Sequence, residues 1–175
     1  MRVTVIAALL LVAAGPAFAA KQHYTFTCRV VAIADGDTLT VLDGSNTQYK
    51  IRLAGIDAPE KGQPFGTKAR ENLAAKVFGK VVRVEVIDID PYHRLAGRIY
   101  LGGRFINKEM VRDGAAWRYV QYDRPGEFIT AENEARAQGR GLWGTRERPV
   151  PPWEWRRAKR EASKSRQIEG SSTVR

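Results

Sequence analysis

Cysteine is almost absent: Cys28 stands alone in the 175 residues, so no intramolecular disulfide can form and a folded domain must rest on core packing. Long apolar runs are equally scarce. One stretch, 3–14, follows Met1-Arg2 and ends at Gly15-Pro16 and the small residues Ala17-Phe18-Ala19-Ala20. It is shorter than the roughly 20 apolar residues that span a bilayer, and its flanks read as a signal peptide, residues 1–19, cleaved after Ala19. No second run follows, so the expectation is an exported protein, secreted or periplasmic, without a stable membrane anchor. No internal repeat is visible.

Acidic side chains are the minority. The chain carries 29 Lys and Arg against 19 Asp and Glu, a formal charge of +10, and losing Arg2 with the leader lowers this by one. Such a surface attracts polyanions through Coulomb steering and counterion release, with nucleic acid first and anionic lipid or wall polymers behind. Roughly 130 residues between the leader and the Pro-rich end suffice for one domain with one core.

Residues 24–34 place Phe26, Cys28, Val30 and Ala32 on one parity and end at Asp35-Gly36-Asp37, as a strand would. Cys28 there reads as a small buried hydrophobe rather than a nucleophile. Strands at 38–42 and 49–53 flank the turn Asp43-Gly44-Ser45-Asn46, and the alternation at 81–89 and 98–101 adds two more. Helical spacing appears at 67–78, stopped by Gly79, then at 107–112 and at 128–138. Five short strands with about three helices predict an α+β domain, mainly β, built as a five-stranded OB-fold β-barrel over 20–148. The basic tail 149–175 holds Trp153 and Trp155, which suit folding back onto the barrel, and is expected to lose order from about Lys159.

Charged residues gather at three turns, where a rigid scaffold can present them. Taken alone, Asp35-Gly36-Asp37-Thr38 is explained better by turn and capping chemistry than by a site. Less ordinary is Arg52-Leu53-Ala54-Gly55-Ile56-Asp57-Ala58-Pro59-Glu60, where Asp57 and Glu60 flank a proline. If Asp37 and Asp57 converge, their charges repel unless a cation lies between them. Oxygen ligands without His or thiolate select calcium or magnesium over zinc, and a loose shell favours calcium. Asp90-Pro91-Tyr92-His93-Arg94 suits a solvated loop, or an arginine holding a phosphoryl oxygen beside an aromatic ring.

In order and spacing these three motifs resemble the staphylococcal nuclease family, from about Val30 to Trp143. The resemblance implies an OB-fold barrel with three helices and a calcium-dependent endonuclease that cleaves DNA and RNA, leaving 3′-phosphates; a monomer is expected, and an OB surface carrying Tyr92 and Tyr122 suits single-stranded or frayed substrate. The resemblance also implies Asp37, Asp57 and the Ala58 carbonyl as calcium ligands, with Asp35 behind them. Arg52, Glu60 and Arg94 would be catalytic, and Tyr92 and Tyr122 would contact substrate. Ala58 stands where the best-known member has threonine, a change that a main-chain ligand tolerates. His93 replaces a glycine and would have to adopt a left-handed backbone. A second family tyrosine aligns with Val120, beside Tyr119. Two other readings are a non-catalytic nucleic-acid-binding OB-fold module, disfavoured because all five charged residues are retained, and a basic envelope-binding protein.

Overall fold

The computed structural model describes residues 23–120 and 126–172, with side chains as far as 167. The expected leader and Tyr122 lie outside the described residues. Strands β1 (Tyr24–Ile33), β2 (Thr38–Leu42) and β3 (Gln48–Leu53) form an antiparallel meander, and β5 (Val81–Ile89) and β6 (Leu95–Leu101) continue it across β1. A parallel pairing of β3 with β6 closes the five strands into a barrel. The two-residue strands β4 (Ile56–Asp57) and β8 (Trp117–Arg118) pair with each other, and β7 (Arg104–Phe105) extends β6. Helices α1 (Gly66–Val77), α2 (Ile106–Arg112) and α3 (Ile129–Ala137) cover the barrel, and α4 (Pro152–Ser172) follows a 3-10 turn at Gly141–Gly144. The α+β fold, an OB-like barrel, is as expected.

The alternation that marks β5 is realised: Val82, Val84 and Val86 are buried. They meet Cys28, Val30, Leu39, Val41, Ile51, Leu53 and Ile99 inside the barrel, with Leu73, Ile106 and Met110 from the helices. Full burial of a side chain of this size contributes about 1.5–3 kcal/mol, so this core can do without a covalent staple. Cys28 is 3% exposed, and burial pushes its thiol up to about 11, which leaves it inert at neutral pH.

One expectation needs correction. Ala32 is exposed, because a bulge between Val30 and Ala32 shifts the register of β1 against β2 and flips the parity beyond it. Helix α4 runs through the tail to Ser172. Pro152 suits a helix start, and the Ala, Arg, Lys and Glu that follow are strong helix formers. From Arg157 to Gln167 that helix is exposed throughout.

Strand pairing also explains why distant turns meet. Thr38 pairs with Arg52 across β2 and β3, and Arg52 pairs with Ala96 across β3 and β6. Asp37, Arg52 and Arg94 therefore lie within two residues of one cross-section, at one end of the barrel.

Candidate active site

Gly36 lets the Asp35-Gly36-Asp37 turn approach the chain closely. A Cβ there would lie 2.7 Å from the Cβ atoms of both Ala58 and Ala69, so β1, α1 and the segment after β4 converge on one turn. The Ala58 backbone N–H donates to Asp37 Oδ2 at 2.8 Å, and Thr38 Oγ1 donates to Oδ1 at 3.0 Å. On the far side, pairing of Asp57 with Trp117 fixes the second aspartate. Asp37 is 5% and Asp57 1% exposed, so neither carboxylate is solvated and each needs a charged or hydrogen-bonding partner.

Arg52 supplies that partner for both. Its Nη1 lies 2.7 Å from Asp37 Oδ2 and its Nη2 2.9 Å from Asp57 Oδ1, while Nη1 also donates to the Ile56 carbonyl at 3.2 Å. A single planar guanidinium thus spans the two aspartates, which sequence left twenty residues apart. Burial alone would lower the Arg52 guanidinium, but Asp37 and Asp57 outweigh it and hold the group above its ordinary value.

Glu60 stands at the mouth of this pair, with its side chain 37% exposed. A tight turn sets its backbone: Gln63 N donates to the Glu60 carbonyl at 2.9 Å, and Gln63 Oε1 accepts the Glu60 N–H at 3.0 Å. Gly66 makes room for that turn, since a Cβ there would lie 2.3 Å from the Glu60 carbonyl oxygen. Gln63 Nε2 donates onward to the Val150 carbonyl at 2.7 Å.

Sequence reasoning missed the next member. Arg156 of α4 donates from Nη2 to Asp57 Oδ2 at 2.7 Å, and from Nη1 to Asp57 Oδ1 at 3.1 Å and Glu60 Oε1 at 2.6 Å. Its hydrogen bond to Asp57 raises the guanidinium above its ordinary value. Burial pushes the Asp57 carboxyl up, opposed by Arg156 and Arg52. Burial and then the charge of Asp37 raise Asp35 to about 6. Asp35 also accepts the Asp37 N–H at 3.0 Å, which places it behind the pair. The one available signal for Arg156 was its spacing from Trp153, three residues along one helix face, after Pro-Pro.

Arg94 reaches the same end of the barrel from the β5–β6 loop. Its Nε pairs with Asp90 Oδ2 at 2.6 Å and its Nη1 donates to Thr38 Oγ1 at 3.4 Å, so Thr38 links it to Asp37. Its guanidinium carbon lies 5.5 Å from the centre of the Tyr92 ring, and Tyr92 is 78% exposed. His93 has φ of 60°, so histidine does adopt the left-handed conformation there. Tyr119 stacks on Trp153, with centroids 6.0 Å apart and planes at 11°, and Trp153 also meets Trp117 edge-on. That return of Trp153 to the barrel agrees with the sequence expectation.

Asp37, Asp57 and Glu60 outnumber the two guanidiniums in contact with them by one charge. Among the described residues no group of three or more His, Cys, Asp or Glu is arranged to hold a metal ion. The two buried aspartates offer only oxygen donors, which by their chemistry suit a hard cation completed by water.

Comparison with known proteins agrees with the geometry. The family described as staphylococcal nuclease homologue matches residues 50–145. An uncharacterized endonuclease of Haemophilus influenzae is 46% identical over 131 residues, covering 75% of this chain and 73% of its own. An uncharacterized endonuclease of Escherichia coli O157:H7 is 46% identical over 132 residues, covering 75% and 85%. A probable staphylococcal-like nuclease of Oryza sativa is 45% identical over 116 residues, 66% of this chain but 35% of its own length. With Asp37, Arg52, Asp57 and Glu60 gathered at one end of an OB-like barrel, and with these matches, the chain belongs to the staphylococcal nuclease family.

Proposed function

We propose that the protein is an exported, calcium-dependent nuclease that hydrolyses phosphodiester bonds of DNA and RNA. The observation that carries the reading is the shared guanidinium of Arg52 between Asp37 and Asp57, with Glu60 beside them. Such a cluster is costly to bury unless it serves a ligand, because buried ion pairs seldom improve on apolar packing. Names of the relatives, endonuclease and staphylococcal-like nuclease, point the same way.

In this reading Asp37, Asp57 and the Ala58 carbonyl would hold calcium, which when bound would supply Lewis-acid polarisation of a phosphoryl oxygen. Arg52 and Arg94 donate paired hydrogen bonds to the phosphoryl group as negative charge grows on it. Glu60 orients the attacking water and accepts its proton, a role its half-exposed position allows. Tyr92, exposed beside Arg94, offers a face for a splayed base or sugar, which favours single-stranded or frayed substrate. Tyr122 is assigned a similar contact, and a monomer suffices for all of these groups. Products carry a 3′-phosphate. The signal peptide directs the chain to the periplasm or the medium, where its basic surface meets nucleic acid.

The test is release of acid-soluble nucleotides from heat-denatured DNA and from RNA, with calcium and then with a calcium chelator. Release that stops on chelation, with ends that need a phosphatase before 3′ extension, is expected. Binding without cleavage would point instead to a non-catalytic OB-fold module, and cleavage indifferent to chelation would remove the metal from the account.

A further inference from the structure

The segment matched to the family ends at residue 145, yet a principal ion pair of Asp57 comes from beyond it, at Arg156. Helix α4 is held in place for this. Pro152 is buried, Trp153 stacks on Tyr119 and abuts Trp117, and Gln63 ties Val150 to the Glu60 turn. From Arg157 to Gln167 the helix is exposed, so the docking contacts described lie at or before Arg156.

Arg156 covers Asp57 Oδ2 at 2.7 Å and reaches Glu60 Oε1 at 2.6 Å. A divalent cation on Oδ2 competes directly with Arg156, whose side chain is 34% exposed and free to swing away, whereas Arg52 meets Asp57 through Oδ1 and is anchored on Asp37 and the Ile56 carbonyl. The docked helix nevertheless keeps a displaced guanidinium within one side-chain length of the site. With a divalent ion bound, Asp37, Asp57 and Glu60 against Arg52 alone leave the cluster neutral. Arg156 adds one positive charge, matching the single negative charge of a phosphodiester. Arginine is also the side chain whose fork suits both carboxylate and phosphate.

We propose that Arg156 is an active-site residue supplied by the C-terminal helix, one that pairs with Asp57 and Glu60 and competes with a divalent cation for Asp57. Released from Asp57 by that competition, Arg156 would bind the phosphodiester of the nucleic acid. The proposal rests on the reading of Asp37 and Asp57 as cation ligands.

The experiment compares the full chain with Arg156→Gln and Arg156→Lys. Calorimetric titration with calcium alone, without nucleic acid, is expected to give about five-fold tighter binding in Arg156→Gln, because a competitor is gone. On single-stranded oligonucleotide the same variant is expected to raise KM about ten-fold with a smaller change in kcat. Arg156→Lys keeps the charge without the fork and is expected to lie between the two in both measurements, which a misfolded protein would not do. Calcium affinity unchanged or weakened in Arg156→Gln, or an unchanged KM, overturns the proposal by making Arg156 a strut of the helix. A wild type that takes up no calcium overturns the reading of the site itself, and this proposal with it.

Discussion

Gln63 accepts the backbone N–H of Glu60 on its side-chain oxygen at 3.0 Å, and with the same amide donates to the Val150 carbonyl at 2.7 Å. One buried side chain, 6% exposed, therefore fixes the turn that carries Glu60 and the segment that leads into helix α4. Gln63→Ala is expected to lower kcat about ten-fold, because a misplaced water-activating group loses rate steeply with small displacements. The check is kcat on single-stranded DNA at saturating calcium. A variant with wild-type turnover would separate this amide from the alignment of Glu60.

For Glu60 itself the expectation is a loss in turnover, not in binding. Glu60→Gln keeps the shape and removes the base, so kcat falls by about 10²- to 10⁴-fold while KM shifts little. Steady-state kinetics on one oligonucleotide measures both. Equal losses in kcat and in affinity would refute the assignment.

Much of this was legible in the sequence. Period-two alternation located the five barrel strands, and Gly79 marked the end of α1. The three charged turns lie at one end of the barrel because Thr38, Arg52 and Ala96 pair in register across three strands. The inward placement of Ala32 failed because a bulge leaves no mark in alternation. Arg156 was missed for a different reason. Its composition is that of a solvated basic tail, and its place depends on Trp153 docking on Tyr119, a tertiary contact that local patterning does not carry. Gln63 was invisible likewise, since a lone glutamine in a loop has no signature until its two partners are seen.

Asn107 is a structural counterpart to these residues, fully buried and in contact with none of the charged groups of the site. Its Nδ2 donates to the carbonyls of Ala54 and Gly97 at 3.0 and 3.1 Å, and its Oδ1 accepts the Ile99 N–H at 2.9 Å. Asn107→Leu removes this partner from the Ile99 N–H and the Ala54 carbonyl, while the Gly97 carbonyl keeps the Ala54 N–H at 2.9 Å, and is expected to cost about 3 kcal/mol. Urea unfolding measures this, with activity per folded molecule expected to stay near that of the wild type. Stability within about 0.5 kcal/mol of wild type, the range of an ordinary surface change, would contradict it.

Acid should weaken the fold in part through Glu109. Hydrogen bonds from Arg104, with further help from Lys76, hold the Glu109 carboxyl below its ordinary value of 4.5 despite some burial. A lowered carboxylate binds its proton less readily folded than unfolded. Its contribution is therefore present above pH 4.5 and is lost as pH falls through the lower folded value. Glu109→Gln is expected to destabilise the protein by about 1–3 kcal/mol at pH 7, by analogy with other charge-assisted hydrogen bonds. The difference from wild type should shrink as pH drops below 4, followed by thermal unfolding across pH 3 to 7. A difference constant across that range would assign the loss to packing rather than charge.

The most direct measurement of the central claim is calorimetric titration of calcium into the ion-free wild type, Asp37→Asn and Asp57→Asn. One ion per chain is expected in the wild type, with affinity reduced about ten-fold or more in each variant, or about 1.4 kcal/mol per ten-fold. Wild-type affinity in both variants, or no uptake by the wild type, would contradict a cation held jointly by the two aspartates.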